Sequence, residues 1–179
     1  ISLESADLPD GVEEIENRAF AGARYMTSAR IPQSVHSMGE SVFSGCRSLE
    51  RMDIPGSIKT VPADTLFACA ALKELSIGSG IQTIGRRAFG GCTALESVRI
   101  PDGVTELDAM AFMGDGELVS AFIPESVKII GAEAFARCGK LREISLPGGI
   151  EDIGAAAFSG CAALAEKDGF VMIGEVCCG

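Results

Sequence analysis

Residues 123–145 read IPESVKIIGAEAFARCGKLREIS, and a related 23-residue pattern begins at six other places in the chain. The pattern restarts without insertion or deletion at Leu8, Ile31, Ile54, Ile77, Ile100, Ile123 and Leu146. Self-similarity at a fixed period of roughly 20 to 50 residues is typical of a solenoid or another repeat architecture. The sequence therefore predicts seven consecutive coils of equal length.

Equivalent positions in the copies carry similar side chains, which indicates one core shared by all coils. Pro follows the first column in every copy except the fourth, which has Gly78. Two later columns are wholly apolar: Val12, Val35, Ile58, Ile81, Val104, Val127 and Ile150, and then Ile15, Met38, Val61, Ile84, Leu107, Ile130 and Ile153. The next column has Leu66 in the third copy and otherwise Phe20, Phe43, Phe89, Phe112, Phe135 and Phe158. We expect these rings to stack as an aromatic spine.

The pattern of residues within each copy also predicts the local structure of that copy. The alternating end of a segment such as LESVRI, at 95–100, indicates a short strand, and the glycine-bounded stretch 85–91 indicates a helical or 3₁₀ turn. A lone copy buries too few apolar side chains to offset the entropy of ordering it, so coils must stack with their strands parallel, about 4.8 Å apart. We predict a mainly β, right-handed solenoid with short turns.

Two segments carry a resemblance to a known family. The stretches IPDGVTELDAMAF at 100–112 and IPESVKIIGAEAFARCGKLREISLP at 123–147 resemble the BspA-like class of bacterial leucine-rich repeats, and the match covers nearly the whole chain. The resemblance implies a single leucine-rich-repeat domain over residues 1–179, in a secreted or surface-anchored bacterial protein. Members bind extracellular matrix proteins or other cells, so an extracellular protein or glycan is the implied partner. No binding residue is implied.

Both ends of the chain depart from the pattern. Residues 1–7 are expected to be the remnant of a preceding repeat, with Leu3 and Ala6 in its final strand, and the absence of a starting Met suggests that upstream sequence was removed. Near the other end, Lys167 stands where an apolar residue is expected. We expect residues 168–179 to form a closing segment that covers the last coil.

Charge and composition limit the classes of partner. The chain has 25 acidic and 15 basic side chains, a net charge of −10, so nucleic acid and anionic membrane surfaces are not expected to bind. No stretch approaches the roughly 18 consecutive apolar residues of a membrane span, so direct membrane insertion is not expected. We expect a monomer.

No residue pattern points to catalysis, a cofactor or a bound metal. His36 is the only imidazole and lies in a variable surface position, and acidic pairs such as Glu13–Glu14 and Glu151–Asp152 fall at positions expected to face solvent. The glycine-rich stretches lack a phosphate-loop Lys, and we interpret as structural the recurring Gly22, Gly45, Gly91, Gly114 and Gly160. The sequence predicts a protein that is not an enzyme.

Five cysteines share one column of the repeat, in which the first and fifth copies have Ala23 and Asp115. They are Cys46, Cys69, Cys92, Cys138 and Cys161. Stacking would bring them within disulfide range, whereas a one-sided ladder presents ligands in a line and does not suit a tetrahedral metal. The simpler interpretation is that Cys is a small buried apolar residue in a tight turn. No partner can be assigned to Cys177 and Cys178.

The candidate site follows from the strand residues that point away from the core. They form two columns: Arg30, Asp53, Ser76, Arg99, Phe122 and Ser145, and Ser28, Arg51, Glu74, Ser97, Ser120 and Glu143. An aromatic residue one rung from an arginine is the composition favoured at interface hot spots. We therefore predict a partner-binding surface made of Phe122, Arg99, Ser76, Asp53, Arg51, Glu74, Ser97, Ser120 and Glu143. Alternatively, Phe122 folds over a gap left by Ala121 and Asp115.

Two functions remain open. The first is a non-catalytic interaction or adhesion module that binds through the sheet face. The second is a structural spacer that displays another domain away from the cell surface. An isolated fragment that captures a partner would favour the first.

Overall fold

The computed structural model describes residues 2–165 as a solenoid in which each coil contributes two short strands. The first face consists of β1 (Ser5–Asp7), β3 (Ser28–Arg30), β5 (Arg51–Ile54), β7 (Glu74–Ile77), β9 (Ser97–Arg99), β11 (Ser120–Phe122) and β13 (Glu143–Ser145). The second face consists of β2 (Glu14–Ile15), β4 (Ser37–Met38), β6 (Thr60–Val61), β8 (Thr83–Ile84), β10 (Glu106–Leu107), β12 (Ile129–Ile130) and β14 (Asp152–Ile153). One helical turn, α1 (Ala162–Ala165), follows. Lys167, the closing segment 168–179 and its two cysteines lie outside the described residues.

All the paired strands are parallel, and paired residues are 23 positions apart in sequence. The first face is divided into a β1-β3-β5-β7 sheet and a β9-β11-β13 sheet, while the second is divided into β2-β4 and β6-β8-β10-β12-β14. This arrangement confirms the mainly β solenoid predicted from the repeat. That residues 1–179 form a single domain stays a prediction.

The core is the stack of apolar columns predicted from the sequence. Residues of the second and third columns are mostly buried, as Val104 and Leu107 are. Neighbouring rings of the Phe column stack with centroids between 5.2 and 5.6 Å apart, and the spine is interrupted at Leu66. Burial of each ring stabilises the fold by roughly 1.5–3 kcal/mol, and each stacked pair adds about 0.5–1.5 kcal/mol.

The turns that connect the two faces are single turns rather than a continuous 3₁₀ helix. In the fourth copy Ala88 N–H donates to Gly85 C=O and Gly90 N–H to Arg87 C=O. A left-handed residue interrupts the run in every copy: Arg18, Ser41, Asp64, Arg87, Met110, Glu133 and Ala156 have φ between 53° and 62°. At this position the Arg87 N–H donates to Ala109 C=O of the next coil, 3.0 Å away, so the bond between coils holds the strained conformation.

A second left-handed position explains most of the recurring glycines. Gly22, Gly45, Gly91, Gly114 and Gly160 have φ between +73° and +82°, a conformation that glycine adopts without strain. The remaining two copies place Ala68 and Arg137 in the same conformation, with φ of 59° and 63°. These two residues carry a steric cost of about 1–3 kcal/mol that the glycines avoid.

Ala68→Gly is therefore expected to raise the free energy of unfolding by about 1 kcal/mol, because relief of the left-handed strain outweighs the added entropy of the unfolded chain. Urea denaturation followed by circular dichroism measures the change. The matched control is Ala63→Gly in the same coil, at a residue outside the left-handed region. The control should lose roughly 0.5–1 kcal/mol. Equal losses in both variants would contradict the assignment.

Candidate binding site on the first sheet face

The nine candidate residues all lie on the outer side of the first face. The burial of β9 alternates along the strand, with Val98 buried and Ser97 and Arg99 exposed, because successive strand side chains point to opposite sides. Eight of the candidates are exposed and Ser120 is partly buried. The structure therefore presents them on one surface, as the two predicted columns require.

Two charged residues at the β5 and β7 end of this surface form an ion pair. Arg51 and Glu74 occupy paired positions in adjacent coils, and Arg51 Nη2 lies 2.6 Å from Glu74 Oε2. The hydrogen bond and charge of Glu74 raise the pKa of the Arg51 guanidinium. An exposed pair of this kind contributes about 0–1 kcal/mol, so it mainly satisfies the two charges.

A shallow pocket of about 520 Å³ occupies the other end of the surface. Strands β9, β11 and β13 line it with Ser97, Val98, Arg99, Ser120, Ala121, Phe122, Glu143, Ile144 and Ser145. The Arg99 Cζ atom lies 4.1 Å from the centroid of the Phe122 ring, and Phe122 remains 44% exposed. Phe122 thus lies on the outer surface beside Arg99, while Ala121 points into the core and is buried.

The pocket divides the predicted site in two. It brings together five candidates, namely Phe122, Arg99, Ser97, Ser120 and Glu143, while Asp53, Ser76 and the Arg51–Glu74 pair lie outside its lining. Ser145 belongs to the lining but not to the candidate list. The signal for Ser145 was available in the sequence, because it pairs with Phe122 in the 23-residue register.

The described residues contain no group of three or more His, Cys, Asp and Glu side chains placed to hold a metal ion. His36 Nε2 lies 3.5 Å from Glu13 Oε2, and both side chains are more than half exposed. Within residues 2–165 no helix has the length and apolar character needed to cross a membrane.

Comparison with known families assigns the repeat. A family model described as the BspA type leucine rich repeat region matches residues 1–119 and 64–168, with six copies. The chain belongs to the BspA-type leucine-rich repeat family. No curated protein matches it.

Three solved structures resemble this BspA-type chain. The T. pallidum leucine-rich repeat protein is 30% identical, with a TM-score of 0.85 over 90% of this chain and 78% of that one. A Bacteroides ovatus leucine-rich repeat protein is 27% identical, with a TM-score of 0.77 over 87% of this chain and 49% of that one. A Eubacterium ventriosum leucine-rich repeat protein is 25% identical, with a TM-score of 0.83 over 96% of this chain and 46% of that one. This chain spans about half the length of the last two.

The Cys column of the BspA-type repeat forms a ladder of buried thiols. The side chains of Cys46, Cys69, Cys92, Cys138 and Cys161 are buried. Each Sγ lies 3.1–3.4 Å from a backbone carbonyl of the Phe column in the preceding coil, to which the thiol donates. Burial raises the pKa of Cys46 to about 11 and raises those of Cys69, Cys92 and Cys138 further. These four thiols therefore stay protonated, which suits packing and donation rather than nucleophilic chemistry.

Asp115 replaces the thiol in the fifth coil and is fully buried. Its Oδ1 accepts the Cys92 N–H at 2.8 Å, while Oδ2 has no hydrogen-bond partner among the described residues. Burial raises the pKa of Asp115 well above the usual value of an aspartate, and the N–H groups of Cys92 and Gly91 oppose the shift only in part. The carboxyl is therefore protonated in the folded protein well above pH 4.

This raised pKa makes stability depend on pH. Below about pH 4 the carboxyl is protonated in both states, whereas above it only the unfolded state ionises. The contribution of Asp115 to the free energy of unfolding should then fall by about 1.4 kcal/mol per pH unit, up to the folded-state pKa. Asp115→Asn and Asp115→Cys both remove the carboxyl and should remove this slope. Urea denaturation between about pH 4 and pH 7 measures it, and parallel curves for all three proteins would show that Asp115 does not titrate as described.

Proposed function

We propose that this chain is a non-catalytic interaction module of an extracellular or surface-located bacterial protein, and that it binds a partner protein or glycan through the first face. The BspA-type repeat supports the class of function, since stacked repeats create extended binding surfaces. The position on the face is supported by one observation, the half-exposed Phe122 held under Arg99 in the pocket.

The energetics of recognition favour this end of the face. A partner that covers Phe122 gains apolar burial, and aromatic and arginine side chains carry most of the binding energy at protein interfaces. At the other end of the candidate surface, on β5 and β7, Arg51 and Glu74 are already paired, so a partner there would have to replace an existing interaction. The pocket is therefore the part of the surface from which a partner gains most.

The structural spacer is the second candidate function, and the continuity of the stack favours it. Seven parallel strands at about 4.8 Å spacing extend roughly 30 Å, and backbone hydrogen bonds join the coils. Such a rod holds its two ends apart without any specific surface. A spacer should bind no partner when it is isolated, which separates the two functions.

An array of purified extracellular matrix proteins and glycans, probed with this chain, tests the proposal. The wild-type chain should bind at least one target, and Arg99→Ser combined with Phe122→Ser should weaken that binding about tenfold or more, since hot-spot residues contribute roughly 2 kcal/mol or more. The matched control is Tyr25→Ser, which removes an aromatic side chain that is 65% exposed in a turn away from the face.

The control should bind as the wild type does, and urea denaturation should show that all the variants fold. A wild-type chain that binds nothing on the array would favour the spacer. A double variant that folds and binds normally would remove the pocket from the proposed interface.

A further inference from the structure

Arg30 and Arg51, which share the outer side of the first face with Arg99, each form an ion pair with a carboxylate. Arg30 Nη2 lies 2.7 Å from an oxygen of Asp10, and Arg51 Nη2 lies 2.6 Å from an oxygen of Glu74. Within residues 2–165 no ion pair joins Arg99 to a carboxylate. In a chain with a net charge of −10, this guanidinium carries an unmatched positive charge on the β9 side of the pocket.

Arg87 shows which group can bind to an arginine that contacts a phenylalanine ring in this chain. The Arg87 Cζ atom lies 4.9 Å from the centroid of the Phe67 ring, a stack like that of Arg99 on Phe122. Two nitrogens of Arg87, Nε and Nη2, donate to the two carboxylate oxygens of Asp64 at 2.8 and 2.9 Å. Arg87, which contacts the Phe67 ring, therefore binds a carboxylate through two hydrogen bonds.

The stack on Phe122 prepares Arg99 for the same interaction. An arginine that stacks flat on an aromatic ring keeps its N–H groups, which lie at the edge of the guanidinium plane, free to donate. The pocket also contains three serine side chains, those of Ser97, Ser120 and Ser145. No side-chain hydrogen bond occupies these hydroxyl groups among the described residues. They are additional donors for a carboxylate or for the peptide groups beside it.

We propose that Arg99 on Phe122 is a carboxylate-binding subsite, which takes an acidic side chain from a peptide segment of the partner protein. The inference rests on the proposed function and names the chemistry that the pocket recognises. A peptide is favoured over an acidic sugar because Arg99 already covers one face of the Phe122 ring, and a sugar ring needs such a face for packing. The short side chain of Asp or Glu needs only the edge of the guanidinium.

Glu143 restricts the sequence of that peptide. It pairs with Ser120 in the register and therefore lies two rungs from Ser97, at the far end of the pocket from Arg99. Two rungs correspond to about 10 Å, which an extended peptide spans in roughly three residues. Arg142 Nε lies 3.8 Å from Glu143 Oε1, a long contact between two exposed side chains that offsets the charge of Glu143 only in part. A second acidic residue there would therefore be repelled by Glu143, while a basic residue would be attracted. The favoured peptide therefore has an acidic residue and a basic residue that are three positions apart, in either order.

The test uses short blocked peptides and the intact chain. The probes are acetyl-Glu-Ala-Ala-Lys-amide, its reverse acetyl-Lys-Ala-Ala-Glu-amide, the acid-free acetyl-Gln-Ala-Ala-Lys-amide, and glucuronic acid as a sugar carboxylate. Nuclear magnetic resonance titration follows the Arg99 Nε–Hε signal and the backbone signals of β9, β11 and β13. One of the two Glu–Lys peptides should bind with millimolar affinity and shift these signals. Its affinity should be at least fivefold higher than that of the Gln peptide or glucuronic acid.

Variants test the two-point hydrogen bonding rather than charge alone. Arg99→Lys keeps the charge but removes the planar pair of donors, so it should weaken the favoured peptide at least fivefold. Arg30→Lys is the matched control on the same face, since Arg30 is paired with Asp7 and Asp10, and it should leave the affinity unchanged. Unchanged backbone spectra away from the pocket show that each variant is folded.

The outcomes separate this inference from the proposed function. Three results would overturn the carboxylate subsite. They are the absence of any shift with either Glu–Lys peptide at the highest millimolar concentration, equal binding of the Gln peptide, and an unaltered affinity in Arg99→Lys. Tighter binding of glucuronic acid would overturn the peptide assignment. If the array shows capture that depends on the pocket while the peptides fail, the interaction module stands and only the subsite is lost.

Discussion

The interaction on which the rest of this structure depends is the backbone hydrogen bonding between coils that lie 23 residues apart. It fixes the register, so every side chain lies directly above its equivalent in the next coil. Columns of Phe, Cys and aliphatic residues then form a continuous core, and charges on the surface pair between coils, as Asp64 does with Arg87. The same constraint holds non-glycine residues in left-handed turns, because their N–H groups are committed to the neighbouring coil.

Because equivalent residues stack, a change at one position of the repeat alters the whole neighbourhood. The fifth coil carries two such changes: Asp115 stands in the thiol ladder, and Phe122 stands in an outer column whose other members are polar or charged. The first is a buried carboxyl that the fold accommodates by protonation, and the second lines the pocket. The proposed binding surface therefore includes a coil that departs from the repeat, while the coils around it hold that coil in place.

Most of the fold was predictable from the sequence, because a fixed period removes the usual uncertainty in assigning long-range contacts. The offset of 23 residues alone identified which residues pair between strands and which side chains share a column. The sequence also placed Phe122 beside Arg99 on the outer face, and this position is what the structure shows. The turns were less predictable, since left-handed backbone at Ala68 or Arg87 leaves no mark in the residue type.

The sequence by itself determined the repeat, the core columns and the outward columns of the sheet, since all three depend only on periodicity. Only the tertiary structure decided how charges are matched on that sheet. It paired Arg51 with Glu74, placed Arg99 on Phe122, and divided the nine candidates between an end that contains the Arg51–Glu74 pair and an open pocket. The physical reason is that pairing depends on side-chain conformations and on distances of a few ångströms between coils, which a repeating pattern of residue types does not specify.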